Sequence, residues 1–215
     1  MLGTLFSSAP LLDELSILKC IVIEHFNSEA PALKALQFIF IPEFKSVSFK
    51  NCPNLARVAL ESLTPLFEVD NPEWGKTTNL IELFASLPKI EKLLLDNFVL
   101  EQISFILCLL ESSTDLEELR IWAIEKAGIA MQPVSNFLKE SKWTDMKLNT
   151  LRTVELALYE CSRAELFFIE FLLGRSPILG KMFIKLSRVD ANEGCRTSEE
   201  VMRFSRASEK AEVIF

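Results

Sequence analysis

The 215 residues of this chain are enough for one domain with a buried core or for one array of structural repeats. Hydrophobic residues make up 49% of the chain and charged residues 25%, which is typical of a folded globular protein. The formal net charge of −7 argues against nucleic-acid binding, because that function needs a positive surface.

Membrane association and export are not predicted by the sequence. The longest apolar runs, ISFILCLL at 103–110 and LFFIEFLL at 166–173, are much shorter than the roughly 20 residues that cross a bilayer. No basic segment precedes an apolar one at the N-terminus, so we predict no signal peptide. Five widely spaced cysteines, an odd number, indicate reduced thiols. We therefore expect an intracellular protein, cytoplasmic or nuclear.

A phrase of the form P-x-L-x-x-L-x-L recurs seven times along the chain, twice without its proline. The steps between copies range from 21 to 35 residues, which matches the period of leucine-rich repeats with insertions. The pattern predicts an α/β fold, a leucine-rich-repeat solenoid built from units that stack on their neighbours. The first positions of the copies are Pro10, Pro31, Pro53, Pro88, Thr114, Asn149 and Pro177.

Each phrase predicts a short strand, and the segments between phrases predict helices. The terminal x-L-x-L alternates as a strand does, so we expect parallel strands on the concave face. Helical spacing of apolar residues appears at 79–87, 101–113 and 162–173, and we expect these helices on the convex face. The insertions at 64–78 and roughly 125–147 are predicted to be loops or edge hairpins.

Two capping-box patterns mark predicted helix starts. Ser162-x-x-Glu165 opens the helix over 162–173. Thr197-x-x-Glu200 predicts a short helix that ends near Phe204, and AEVIF at 211–215 predicts a final strand. We expect this last helix and strand to cap the C-terminal end of the solenoid.

The C-terminal third resembles the FBD domain of plant F-box/FBD/LRR-repeat proteins. The resemblance is carried by LNTLRTVELALYECSRAELFFIEFLLGRSPILGKMFI at 148–184 and by VMRFSRASEKAEVIF at 201–215. Upstream, LFSSAPLLDELSILKC and LIELFASLPKIEKLLLDNF resemble the plant-type repeats that precede this domain. The resemblance implies leucine-rich repeats over 1–147, incomplete at the N-terminus, and an FBD domain over 148–215 that continues the solenoid.

The resemblance also implies a function without catalysis. We expect a protein-interaction module like the substrate-recognition part of an SCF-type E3 ubiquitin ligase, with an unidentified target protein as its partner. No F-box-like segment precedes the first repeat phrase, so binding to Skp1 and a cullin is expected only if an F-box is present upstream. The alternative is a stand-alone LRR/FBD domain without ligase recruitment, either a truncated product or a competitor of full-length relatives.

No catalytic, cofactor or metal site is predicted by the sequence. The single histidine, His25, lies between two repeats with no motif around it. The scattered cysteines lack the spacing of zinc ligands. Gly75-Lys76-Thr77 lacks the upstream glycine that a phosphate-binding loop requires, since Asn71 stands there. We therefore expect that the protein is not an enzyme.

The partner-binding face is predicted from strand alternation. In each phrase, the residue between the last two apolar positions should face outward. Trp122 follows one of these strands and either packs on a neighbouring repeat or anchors a partner. The candidate residues are Ser16, Gln37, Ala59, Leu94, Arg120, Trp122, Glu155 and Phe183.

Overall fold

A computed structural model describes residues 9–19, 25–27, 30–39, 46–48, 52–61, 89–98, 103–123, 145–158, 162–187 and 191–215. The chain forms two compact units. Unit 1 comprises Met1–Asn97 and Cys108–Asp115, and unit 2 comprises Phe98–Leu107 and Leu116–Phe215. Each unit is described separately below.

The main sheet of unit 1 is a parallel sheet of successive repeat strands. Its strands are β1 (Glu14–Leu18), β3 (Ala35–Ile39), β5 (Arg57–Glu61) and β6 (Lys92–Phe98). They lie side by side in that order. Apolar residues in register form buried rows across the sheet, which remove their side chains from water. One such row is Leu36, Val58 and Leu93, and the next is Ile17, Phe38, Leu60 and Leu95.

A second, two-stranded sheet in unit 1 was not predicted from the sequence. It pairs β2 (His25–Asn27) with β4 (Ser46–Ser48) in parallel. The two strands begin 21 residues apart, the same step that separates the first two repeat phrases. They therefore belong to successive repeats, on the return path between the main strands. Their sequences, HFN and SVS, are too short to show a clear alternation of apolar and polar residues, so the strands were not predicted.

The sheet of unit 2 has the same design as that of unit 1. Its strands are β7 (Glu118–Ala123), β8 (Thr153–Leu158), β9 (Lys181–Leu186) and β10 (Glu212–Ile214). All neighbouring pairs are parallel. Each strand buries every second residue on one side of the sheet, as the two-residue period of a strand requires. The buried rows comprise Leu119, Val154, Met182 and Val213, followed by Ile121, Leu156 and Ile184.

A tight turn before the strands explains the proline of the repeat phrase. The amide of Leu33 donates to the carbonyl of Ala30 (3.1 Å), which closes a four-residue turn with Pro31 in its second position. Proline favours that position because its φ is already set and its missing N–H is not needed. The same bond joins Leu12 to Ala9, Leu55 to Cys52, Leu151 to Leu148, Leu179 to Ser176 and Ala211 to Ser208.

The turn at Ser208 is an eighth copy of the phrase that the sequence did not reveal. Glu212 is in register with Lys181. The turn of this copy ends at Ala211, one residue before Glu212, whereas the preceding turn ends at Leu179, two residues before Lys181. Ala211 replaces the usual leucine and no proline is present, which hides the pattern. The expected final strand is nevertheless confirmed as β10.

Three helices are seen among the described residues. The prediction over 101–113 is confirmed by α1 (Ile103–Ser112). The prediction over 162–173 is confirmed by α2 (Arg163–Arg175), including its capping box: Ser162 N donates to Glu165 Oε2 (2.6 Å), and Glu165 N donates to Ser162 Oγ (3.3 Å). The apolar side chains of α2 with exposed fractions of 8% or less are Ala164, Leu166, Phe168, Ile169, Phe171, Leu172 and Leu173.

The predicted start of the last helix is wrong. The helix α3 (Ala191–Met202) begins six residues before Thr197. Thr197 is buried inside the helix, with 7% of its surface exposed, so it is not the cap. The T-x-x-E pattern occurs here inside a helix that begins upstream and continues past Thr197, so it does not mark a helix start.

The described residues establish an α/β architecture of parallel strands that is compatible with a leucine-rich solenoid. All seven strands predicted from the repeat phrase are present. The helix expected over 79–87, the insertion at 64–78 and most of that at 125–147 lie outside the described residues. The domain boundary at residue 147 remains a prediction. No helix in the described ranges has the length and apolar character needed to span a bilayer.

Candidate partner-binding surface

The strands of each unit present one row of side chains opposite the buried apolar rows. We call these the outer rows, and define them by register. The outer row of unit 1 consists of Ser16, Gln37, Ala59 and Leu94. The outer row of unit 2 consists of Arg120, Glu155, Phe183 and Ile214.

The structure brings the sequence-predicted residues together within each unit. Seven of the eight lie in the two outer rows, and Trp122 lies one step further along β7, beside Ala157 of β8. None of the eight is buried: Ser16 and Arg120 are exposed and the others are partly exposed. The alternation used for the prediction therefore places the side chains as expected, and their partner-binding role remains a prediction.

Polar side chains in the outer row of unit 1 are joined by hydrogen bonds across strands. Ser16 Oγ donates to Gln37 Oε1 (3.1 Å), and Gln37 Nε2 donates to Glu61 Oε1 (2.6 Å). Ala59 and Leu94 follow in the row with small or apolar groups. The row is thus neutral, polar at its β1 end and apolar at its β6 end.

Alternating charges connect three strands on the outer side of unit 2. The Arg120 guanidinium contacts Glu118 through Nη2 (2.6 Å) and Glu155 through Nε (3.6 Å). Glu155 also accepts a hydrogen bond from Lys185 Nζ (2.7 Å). Charge-assisted bonds of this kind fix the orientation of the side chains that form them.

The cations of this network are far more exposed than its carboxylates. The exposed fractions of the side chains are 49% for Arg120 and 67% for Lys185, compared with 17% for Glu118 and 16% for Glu155. A molecule approaching this surface therefore meets N–H donors first. Lys181, on the same side of β9, is also exposed and forms no ion pair within the described residues.

Sequence reasoning missed four residues that shape this surface. Glu61, Glu118, Lys181 and Lys185 lie one alternation step away from the positions that the phrase singles out. The phrase marks one outward residue per strand, whereas the strands of unit 2 run for six residues at β7, β8 and β9. Extending the alternation to the full strand length would have found them.

Reactive groups are not assembled in the described part of the chain. No three His, Cys, Asp or Glu side chains there are close enough to hold a metal ion. Cys52 is buried at the first position of a repeat turn, where the other copies carry alanine, serine or leucine. This supports its interpretation as a small apolar residue.

Comparisons with known proteins give one similarity. The chain is 26% identical, over an alignment of 250 residues, to an F-box/FBD/LRR-repeat protein of Arabidopsis thaliana. The alignment covers 100% of this chain and 58% of the relative, so the chain spans little more than half of that protein's length. No family model matches the chain. No solved structure matches it either.

The similarity extends over the repeat strands of both units, including the segments on which the resemblance was first seen. The name of that relative includes leucine-rich repeats, and the parallel strands described here are compatible with such a fold. The resemblance inferred from the sequence is thereby confirmed, because this chain is similar over its whole length to a plant F-box/FBD/LRR-repeat protein.

Proposed function

We propose that this chain is a non-catalytic recognition module that binds a target protein through its outer rows, in the manner of the substrate-recognition part of an SCF-type ubiquitin ligase. The observation that carries the proposal is the register of consecutive parallel strands, each of which presents an unburied side chain at the same level. In a solenoid these rows would line the concave face.

The dimensions of the outer rows suit a protein partner. Neighbouring strands lie about 4.8 Å apart, so four positions in one unit extend over roughly 14 Å. The row mixes hydrogen-bonding groups with partly exposed apolar ones, such as Gln37 and Leu94 in unit 1. Interfaces between proteins combine apolar anchors with polar contacts in this way.

The FBD assignment of the C-terminal region is part of the proposal. Three residues of the segment 201–215, which is part of the resemblance, form hydrogen bonds just before the final strand, and two of these bonds reach α2 and the turn before β9. Arg206 Nη1 donates to the carbonyl of Ala211 (2.8 Å), Ala207 N donates to that of Leu173 (2.9 Å), and Ser208 Oγ donates to that of Leu179 (2.8 Å). These bonds support a role for the segment as the cap of the repeat array.

Target binding is tested by affinity capture with matched variants. The double variant Arg120→Glu, Trp122→Ala changes the outer side of unit 2, whereas Arg196→Glu makes the same charge change at an exposed position of α3. We expect a captured protein to be lost with the double variant and retained with Arg196→Glu. After purification, the captured protein should bind directly to the unchanged chain and to Arg196→Glu, and more weakly to the double variant. A partner bound equally by all three forms would contradict the outer-row assignment.

Ligase recruitment is tested separately with purified Skp1 and a cullin. The chain is compared with a version that carries an F-box from a related protein at its front. Binding by the extended version alone supports the division into a recruiting part and a recognition part. Binding of Skp1 by the chain itself would overturn that division. The alternative function, a stand-alone competitor, predicts that the chain reduces target ubiquitination by a full-length relative.

A further inference from the structure

Resting on the proposed function, we propose that the outer side of unit 2 binds an extended acidic segment of its partner, in which an apolar side chain stands between two carboxylates. The receiving surface is formed by Lys181, Phe183 and Lys185 of β9 together with Arg120 of β7. We call these four residues the cation–aromatic site.

The spacing along β9 sets the pattern of the ligand. Lys181, Phe183 and Lys185 alternate with the buried Met182 and Ile184, so all three lie on the outer side. Residues two apart in a strand are separated by about 6.6 Å. An extended partner segment has the same repeat. Carboxylates four residues apart in such a segment therefore match the two lysines, while the side chain midway between them meets Phe183.

The charge of the site comes from unequal exposure rather than from an excess of cations. Glu118 and Glu155 hold Arg120 and Lys185 in place but are themselves largely covered. The exposed heads are therefore the guanidinium and ammonium groups, which retain further N–H donors for a ligand. Lys181 adds a further exposed cation, and its register neighbour Glu212 is also exposed but forms no ion pair with it within the described residues.

Phe183 supplies an apolar anchor at the centre of the site. It lies beside Glu155 on one side and Ile214 on the other, and both Phe183 and Ile214 are partly exposed. Aromatic residues in such positions contribute strongly to protein interfaces. The neutral outer row of unit 1 offers no comparable pairing of an aromatic group with cations.

A direct binding experiment uses the full chain and three labelled synthetic peptides. One contains Glu-Ser-Leu-Ser-Glu in a neutral flanking sequence, the second replaces both glutamates by lysine, and the third places the two glutamates side by side. We expect the first peptide to bind most tightly in fluorescence anisotropy and to weaken as salt is added, because exposed charges are screened. The lysine peptide should not bind. Absence of binding by the first peptide at millimolar concentration overturns the proposal.

Matched variants locate the binding on the protein. We expect Lys181→Glu, Lys185→Glu to weaken the first peptide by about tenfold or more, since attraction becomes repulsion. Phe183→Ala should weaken it by roughly fivefold without changing the salt dependence. Lys210→Glu, an exposed lysine in the turn before β10, is the control and should bind normally. Equal binding by the double variant and the control would overturn the site, and circular dichroism verifies that each variant is folded.

Comparing variants of unit 1 with the double lysine variant of unit 2 distinguishes this inference from the proposed function. A captured partner that is lost with Gln37→Ala, Leu94→Ala in unit 1, but not with the double lysine variant, overturns the cation–aromatic site and leaves the recognition function intact. A captured partner that is retained with both sets of substitutions and also with Arg120→Glu, Trp122→Ala overturns the function as well. Loss of the partner with the double lysine variant alone supports both.

Discussion

Arg57 of β5 reaches over Ala35 of β3 to bind Glu14 of β1, with 2.5 Å between Nη2 and Oε1. The three residues are in register on successive strands. The ion pair thus spans two interstrand spacings, about 9.6 Å. It passes over a position where the side chain ends at Cβ. The repeat array lets a long cation in one repeat contact an acid two repeats away, which neighbouring positions within one strand cannot do.

The energy of this ion pair should depend on the small residue between its partners. The exposed fractions of the two side chains are 49% and 67%, so we expect a coupling of about 0.2–1 kcal/mol that decreases with salt. A double-mutant cycle with Glu14→Gln and Arg57→Gln in urea unfolding measures it. Repeating the cycle with Ala35→Leu should remove the coupling. An unchanged coupling in that background would be incompatible with the bridging geometry.

Leucines of the repeat turn should differ sharply in their contribution to stability. Leu33 is fully buried, whereas 87% of Leu11 is exposed, although both lie in turns of unit 1. We expect Leu33→Ala to lower the free energy of unfolding by about 2–5 kcal/mol, because it leaves a cavity. The matched control Leu11→Ala should change it by less than about 0.5 kcal/mol. Chemical denaturation measures the free energy of unfolding of both variants. Similar losses for Leu33→Ala and Leu11→Ala would contradict the burial pattern.

Two serines at the same position of the repeat turn should respond in opposite ways to alanine. Ser208 Oγ donates to the carbonyl of Leu179, whereas the buried Ser176 Oγ has no partner within the described residues. We expect Ser208→Ala to cost about 1 kcal/mol and Ser176→Ala to be neutral or stabilising, because an unpaired buried hydroxyl is unfavourable. The difference in melting temperature between the two variants is the readout. A larger loss at Ser176 would reveal a partner for its hydroxyl.

The capping box of α2 should make a measurable contribution to stability. Ser162→Ala removes the acceptor for the Glu165 amide, and we expect a loss of about 1 kcal/mol. Ser198→Ala is the control, because Ser198 Oγ donates back to the carbonyl of Cys195 inside α3. That bond adds little to a helix in which alanine is the most favourable residue. Equal losses for the two variants would show that the cap contributes nothing beyond helix propensity.

The repeat strands could be predicted from the sequence because their signal is physical and repeated. A buried row needs an apolar residue from every strand, so each copy of the phrase reports the same constraint. The eighth copy of the phrase was not recognised in the sequence, because Ala211 stands at the position where leucine is usual and its turn contains no proline. The start of α3 was predicted incorrectly at Thr197, since a local capping pattern carries no information on whether a helix has already begun upstream.

The outer rows could be predicted only in part. Alternation identifies the outward positions, such as Arg120 and Glu155, from the chain alone. It does not give the ion pairs between strands, because those depend on which residues come into register. Alternation also does not give the exposed fraction of each side chain. Glu155 and Lys185 are both charged residues in the sequence, yet 16% of the Glu155 side chain is exposed and 67% of the Lys185 side chain. The cation–aromatic site is therefore a property of the folded sheet.

One carbonyl before the strands accepts two amides from the next repeat, as Asp13 does from Lys34 and Ala35 and Glu117 does from Arg152 and Thr153. The same role is filled by Lys34, Ala56 and Arg152. An acid, a base and a small residue serve equally, because only the main chain takes part. Substitutions at this position are thus free to alter surface charge while the scaffold persists. A repeat array connected in this way can therefore change its surface charge one repeat at a time while its main-chain hydrogen bonds stay the same.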